Sequence, residues 1–186
     1  MLSMSFFWQA IWVEGGLAVV ALFAGLCCGL NYWQYFQCDG ETLRLTAWGL
    51  LPLVAGYPVL QALPIAGLQR IDRLVREMFR QYMGHLTFWQ LALIAALAGI
   101  GEELFFRGMI QLGLAHFFDV WIAVLISSLI FGSAHAVTPT YFLLAFIISC
   151  YLGFLFVHTD NLLIPIAVHA LYDFFVFLYI RFTPHI

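Results

Sequence analysis

Apolar residues run along this chain in long blocks with short polar breaks between them, and the blocks predict an all-α architecture. A spanning helix needs about 20 mostly apolar residues. Segments of that kind run from about Phe6 to Leu30, Leu45 to Gly67, Thr87 to Leu114, Val120 to His135, Tyr141 to Val157 and Leu162 to Ile180. The pattern therefore predicts a polytopic helical membrane protein with about six transmembrane helices. Gly25 and Gly29 form a small-xxx-small pair suited to close helix contact. Pro52, Pro58 and Pro64 predict a bent or discontinuous second span, whereas Pro165 falls in a first turn, where proline is tolerated.

One stretch has a different period. Leu68, Ile71, Leu74, Val75, Met78, Phe79 and Tyr82 recur at helical spacing, with Arg70, Asp72, Arg73, Arg76, Glu77 and Arg80 on the other face. This predicts an interfacial amphipathic helix over 68–84, with Asp72–Arg76 and Arg73–Glu77 paired at i,i+4. Its arginines place it on the cytoplasmic side. The division expected is 1–67 for two N-terminal spans, 68–84 for the interfacial helix and 85–186 for a four-helix catalytic core.

Composition agrees with a membrane protein. Of 186 residues 64% are hydrophobic and only 9% charged, against about 25% charged in soluble domains. The lipid bilayer is thus an expected partner. No lysine is present and the net charge is −3, so nucleic acid is not an expected partner. Cys27, Cys28, Cys38 and Cys150 lack zinc-ligand spacing and read as small hydrophobes that pack helices. The N-terminus lacks the flanks of a signal peptide, so the first apolar segment is expected to be retained.

Against this background Gly101-Glu102-Glu103-Leu104-Phe105-Phe106-Arg107-Gly108 stands out. An ionisable group at the centre of a membrane helix costs roughly 2.5–3.5 kcal/mol on insertion scales, and function is the default explanation. Glu103 and Arg107 are four apart and can neutralise each other. Glu102 points about 100° away and has no partner at i+3 or i+4. An unpaired carboxyl in an apolar site is set up to exchange a proton near neutral pH, as a general base or acid must. His135 ends the fourth span one turn after Phe131, and His169 shares a face of the sixth with Asp173. Two histidines on neighbouring spans favour one shared site. Glu14, early in the first span, reads as interfacial rather than as a partner of that site. His85, His116, His158 and His185 fall at turns or ends and read as interfacial too.

Glu-Glu-x-x-x-Arg, Phe-x-x-x-His and His-x-x-x-Asp, in that order on successive apolar helices, resemble the CPBP intramembrane proteases, also called the CAAX-protease and bacteriocin-processing (Abi) family. The resemblance covers about Leu86 to Arg181. It implies a glutamate-dependent endopeptidase acting on a membrane-anchored protein or peptide. Glu102 would be the general base on a water, and His135 would help to hold it. His169 and Asp173 would stabilise the oxyanion, while Glu103 and Arg107, with Phe131, support the site. The family's eukaryotic CAAX enzymes have asparagine where this chain has Asp173. An ionised Asp173 would repel an oxyanion, so it is either protonated or acts by orienting His169.

No cofactor and no metal is expected. Zinc held by Glu102, His135, His169 and Asp173 is chemically conceivable, but no His-Glu-x-x-His helix accompanies them. Other readings of the same residues are a proton-coupled transporter with a Glu/His relay and a non-catalytic immunity or scaffold protein. Small size suggests, by analogy, a bacterial inner (cytoplasmic) membrane.

Overall fold

The computed structural model describes residues 2–183, so His185 lies outside the described residues. Among these the chain is helical throughout. Helix α1 runs Leu2–Cys27, α2 Gly40–Ala62, α3 Ala66–Met78, α4 Phe88–Glu103, α5 Leu112–Ala115, α6 Val120–Ala134, α7 Pro139–Thr159 and α8 Leu163–Phe182. Helices α1, α2, α7 and α8 are long and apolar enough to cross a membrane, and α3 with α4, meeting at a 120° bend, makes a fifth candidate. At 15 residues α6 is apolar but shorter. The outer surface is greasy: Trp12, Phe23, Leu26, Trp48 and Val59 are all exposed. Apolar residues this densely exposed mark a surface made for lipid rather than water. The chain is an integral membrane protein.

Local chemistry explains the helix ends. Asp39 caps α2 by accepting from the Thr42 backbone N–H at 2.8 Å, and Thr138 caps α7 by accepting from Tyr141 N–H at 3.1 Å. Pro139 fills the first turn of α7, where no helical donor is lost. The Gln90 side chain accepts from the Thr87 backbone N–H at 2.8 Å ahead of α4. Between α4 and α5 the chain is π-helical, from Leu104 to Gln111, and so is Phe79–Met83 after α3. The wider turn carries Phe106, Arg107 and Gly108 inward together. The third span is therefore not the uniform α-helix its apolar pattern suggests.

Helix α4 lies between α1 and α8, α2 rests on α8, and α6 packs along α7. At the α4–α8 crossing, a Cβ on Gly99 would stand 2.8 Å from the Ile166 carbonyl oxygen and 2.9 Å from the Ala170 Cβ. At the α1–α4 crossing, a Cβ on Gly101 would collide with the backbone carbonyl of Glu14. Glycine at these positions lets the backbones approach closely. A latch joins the two halves of the chain at one end. Asn161, buried in the α7–α8 turn, donates to Gln37 O at 2.8 Å and Thr42 Oγ1 at 3.1 Å, and accepts from Leu163 N–H at 3.0 Å.

Several sequence expectations change. Helix α2 passes through Pro52 and Pro58 unbroken, and only Pro64 lies in a break, between α2 and α3. Gly25 does not seat another spanning helix. It makes room for Tyr32, whose ring folds back over it and whose hydroxyl donates to Ala21 O at 2.9 Å. Gly29 has φ +70° and follows the end of α1, the left-handed conformation that glycine tolerates best. Cys27, Cys28 and Cys38 are exposed and only Cys150 is half-buried, so three of the four do not pack helices. The amphipathic helix is present, but Arg76 turns inward. It pairs with Asp72 at 2.9 Å and donates to Thr183 O at 2.7 Å and Gln61 Oε1 at 3.2 Å. The expected Arg73–Glu77 pair does not form among the described residues. His85, His116 and His158 are exposed, as expected for turns and ends.

Candidate active site

The site is built where the C-terminal half of α4 meets the end of α6 and the middle of α8. Glu103, fully buried, has its Oε2 3.0 Å from Arg107 Nε, an ion contact between adjacent turns. Geometry makes this a charge contact rather than an aligned hydrogen bond, since Oε2 has no hydrogen-bond donor. Arg107 is itself anchored, donating to Ser149 O at 2.7 Å and Ser149 Oγ at 3.0 Å. Its guanidinium also lies 5.3 Å from the centre of the Phe131 ring, within cation–π range.

The other oxygen of Glu103 reaches a different helix. His169 Nδ1 lies 2.8 Å from Glu103 Oε1. A carboxylate oxygen only accepts, so Nδ1 carries the hydrogen. His169 Nε2 faces Asp173 Oδ2 at 3.6 Å, too far for a hydrogen bond. Sequence spacing alone paired Glu103 with Arg107 and left His169 with Asp173. The stronger contact of His169, to Glu103 across helices, is not visible in spacing along either helix.

Glu102 projects from the same turn in another direction. One oxygen lies 3.8 Å from His135 Nε2, while the other is buried without a hydrogen-bond partner. His135 Nδ1 is 2.9 Å from Phe131 O, a backbone acceptor, so Nδ1 carries the hydrogen and Nε2 presents a lone pair. The imidazole stacks on Phe131, ring centres 4.4 Å apart and planes 19° from parallel. Phe131 thus braces both His135 and Arg107.

Glu102, His135, His169 and Asp173 all line one cavity of about 280 Å³, with Phe131, Tyr141 and Tyr172. Its far wall comes from Leu53 and Tyr57 on α2 and from Ile71, Asp72 and Val75 on α3. The candidate residues read from the sequence are therefore brought together. Glu14 is the residue misplaced by sequence reasoning. Its Oε2 is buried and unpartnered, and its backbone carbonyl packs against Gly101, the residue before Glu102. The signal available was only its charge within an apolar block; the crossing at Gly101 decides its position.

Among the described residues no group of three or more His, Cys, Asp or Glu side chains is arranged to hold a metal ion. One nitrogen of His169 is committed to Glu103, and one of His135 to a backbone carbonyl.

Fold and site together define a helical membrane protein with a carboxylate–histidine centre facing an internal cavity. A family model described as type II CAAX prenyl endopeptidase Rce1-like matches residues 84–175. That segment contains Glu102, Glu103, Arg107, Phe131, His135, His169 and Asp173, and through it the chain belongs to the CAAX-protease family, a family of membrane peptide hydrolases. No curated protein and no solved structure matches the chain.

Proposed function

We propose that this protein is a glutamate-dependent intramembrane endopeptidase that hydrolyses a peptide bond in a membrane-associated protein or peptide, in a bacterial inner membrane. The observation that carries the reading is the pairing of two acceptors at the cavity wall, a Glu102 carboxylate and the Nε2 lone pair of His135, 3.8 Å apart. A water in the cavity donates one hydrogen to each, which leaves its oxygen lone pairs for a substrate carbonyl. Glu102 takes a proton as the water oxygen bonds to the carbonyl carbon. The carbonyl oxygen then becomes an oxyanion, which needs a donor placed before the reaction starts. His169 Nε2 supplies that donor when the ring carries both hydrogens, with Nδ1–H held by Glu103. Asp173 serves to orient the ring and complement its charge. Collapse of the intermediate breaks the C–N bond, and Glu102 returns its proton to the leaving amine.

The scheme routes no step through a metal, since Glu102 and His135 hold and activate the water themselves. The test is cleavage in proteoliposomes, with a peptide bearing a prenylated C-terminus as first probe and terminal proteomics of membranes as the unbiased search. Glu102→Ala and His135→Ala should lower the rate by roughly 10²–10⁴-fold at unchanged thermal stability, and chelators should leave it unchanged. Undiminished cleavage by Glu102→Ala would falsify the mechanism. Ion flux without cleavage would favour a transporter.

A further inference from the structure

Arginines gather at one end of the bundle and exposed carboxylates at the other. Helix α3 and the π-helical turn after it carry Arg70, Arg73, Arg76 and Arg80, four of the chain's seven cations. Arg76 is buried and committed to Asp72, Gln61 and Thr183. The other three are exposed, with Glu77 the one exposed acid of that segment. Among the described residues they make no ion pair. At the opposite end Asn161 latches onto Gln37, and Trp121 at the start of α6 lies 5.6 Å from His158 at the end of α7. That end exposes Asp39, Glu41, Asp119 and Asp160. Arg44, beside them, is held by Glu41 at 2.6 Å. The position of α3 limits what can meet its free guanidiniums. It follows α2, a helix long enough to cross a membrane, after Leu63-Pro64-Ile65, and meets α4 at a 120° bend. Its arginines therefore lie where α2 leaves the bilayer, at the depth of phospholipid headgroups. A zwitterionic headgroup brings its own cation, so a surplus of guanidiniums selects lipids with net negative charge. The inner face of the same helix, at Ile71 and Val75, walls the cavity that holds Glu102 and His135.

We propose that the exposed face of α3 binds the headgroups of anionic phospholipids, and that this contact fixes the helix as the wall of the cavity beneath it. The inference rests on the protease reading for its purpose but not for its test. The probes are phosphatidylglycerol and phosphatidylcholine, offered to the full-length protein. Native mass spectrometry should find phosphatidylglycerol retained in preference. Arg70→Gln, Arg73→Gln and Arg80→Gln should each weaken that retention by about five-fold, the size of one arginine at an anionic surface. Glu77→Gln should strengthen it, and Arg44→Gln, at the other end, should leave it unchanged. In nanodiscs, α3 backbone amides should exchange hydrogen several-fold more slowly when phosphatidylglycerol is present. Equal retention of the two lipids by the wild type, or exchange in α3 that ignores lipid composition, would overturn the proposal. So would loss of the preference in excess inorganic phosphate, which would mean a site for free anions. The wild type and Glu77→Gln decide the matter if the arginine variants do not fold. A protein that shows the lipid preference and the slowed exchange but cleaves nothing keeps the lipid site and loses the protease reading. Cleavage by a protein without the preference does the reverse.

Discussion

His169 Nδ1 lies 2.8 Å from Glu103 Oε1, and the second oxygen of that carboxylate lies 3.0 Å from Arg107. One buried acid thereby connects the last helix of the chain to a cation on its own helix. Glu103 is a hinge between support and chemistry, since the histidine it orients faces the cavity.

Removing the Glu103 charge leaves Arg107 buried and uncompensated. Glu103→Gln should destabilise the protein by about 3–5 kcal/mol, as breaking a buried pair from one side does. Replacing both Glu103 and Arg107 with methionine should recover part of that loss while cleavage stays absent, because His169 is still unheld. Thermal unfolding in detergent, run beside the cleavage assay, separates the two effects.

The α4–α8 crossing tests whether His169 must be held to within an ångström. Gly99→Ala places a methyl 2.8 Å from a backbone oxygen that cannot swing aside. Overpacking of this kind costs about 1–3 kcal/mol. The helices must part near His169, so cleavage should fall by a larger factor than stability implies. An unchanged rate in a folded Gly99→Ala protein would show that the crossing has slack.

The helices themselves were legible because blocks of apolar residues and i,i+4 pairs are local patterns. Glu103–Arg107 and Asp72–Arg76 both formed at the spacing that suggested them. The convergence of Glu102, His135, His169 and Asp173 on one cavity was legible through motif order on successive spans. What escaped depends on where helices cross. Arg76 looked like part of a solvated face, but the ends of α2 and α8 supply it with a side-chain oxygen and a backbone carbonyl. Glu14 looked interfacial, and nothing along α1 announces that Gly101 will admit its backbone. The π-helical turn after Glu103 has no proline or charge run to mark it.

Asn161 provides a test far from the site. Asn161→Ala removes its donations to Gln37 and Thr42 and takes away the acceptor of the Leu163 backbone N–H at the start of α8. The expected loss is about 1–3 kcal/mol, read as a lower unfolding temperature. Thr42→Val, which deletes one acceptor of the same latch, should reproduce a fraction of it.

Acid should weaken the start of α2. The Thr42 backbone N–H and hydroxyl both donate to Asp39 and hold its carboxyl below the usual carboxylate range. A lowered value in the folded state means stability that is present above about pH 3.9, the ordinary aspartate value, and is lost as pH falls through the folded one. The difference in unfolding temperature between wild type and Asp39→Ala should therefore be constant near neutrality and vanish in strong acid. A difference that persisted there would assign the effect to packing instead of the cap.

The Glu103–Arg107 contact has a consequence for biosynthesis. Both residues belong to the same stretch of chain and can meet as soon as that stretch becomes helical. A nascent chain can thus hand this span to the bilayer with its two innermost charges already cancelled, before α8 has left the ribosome. His169 arrives last and finds its acceptor waiting. Any chain that stops short of α8 would keep Glu103 and Arg107 matched but would leave the cavity without a wall, inserted yet inert.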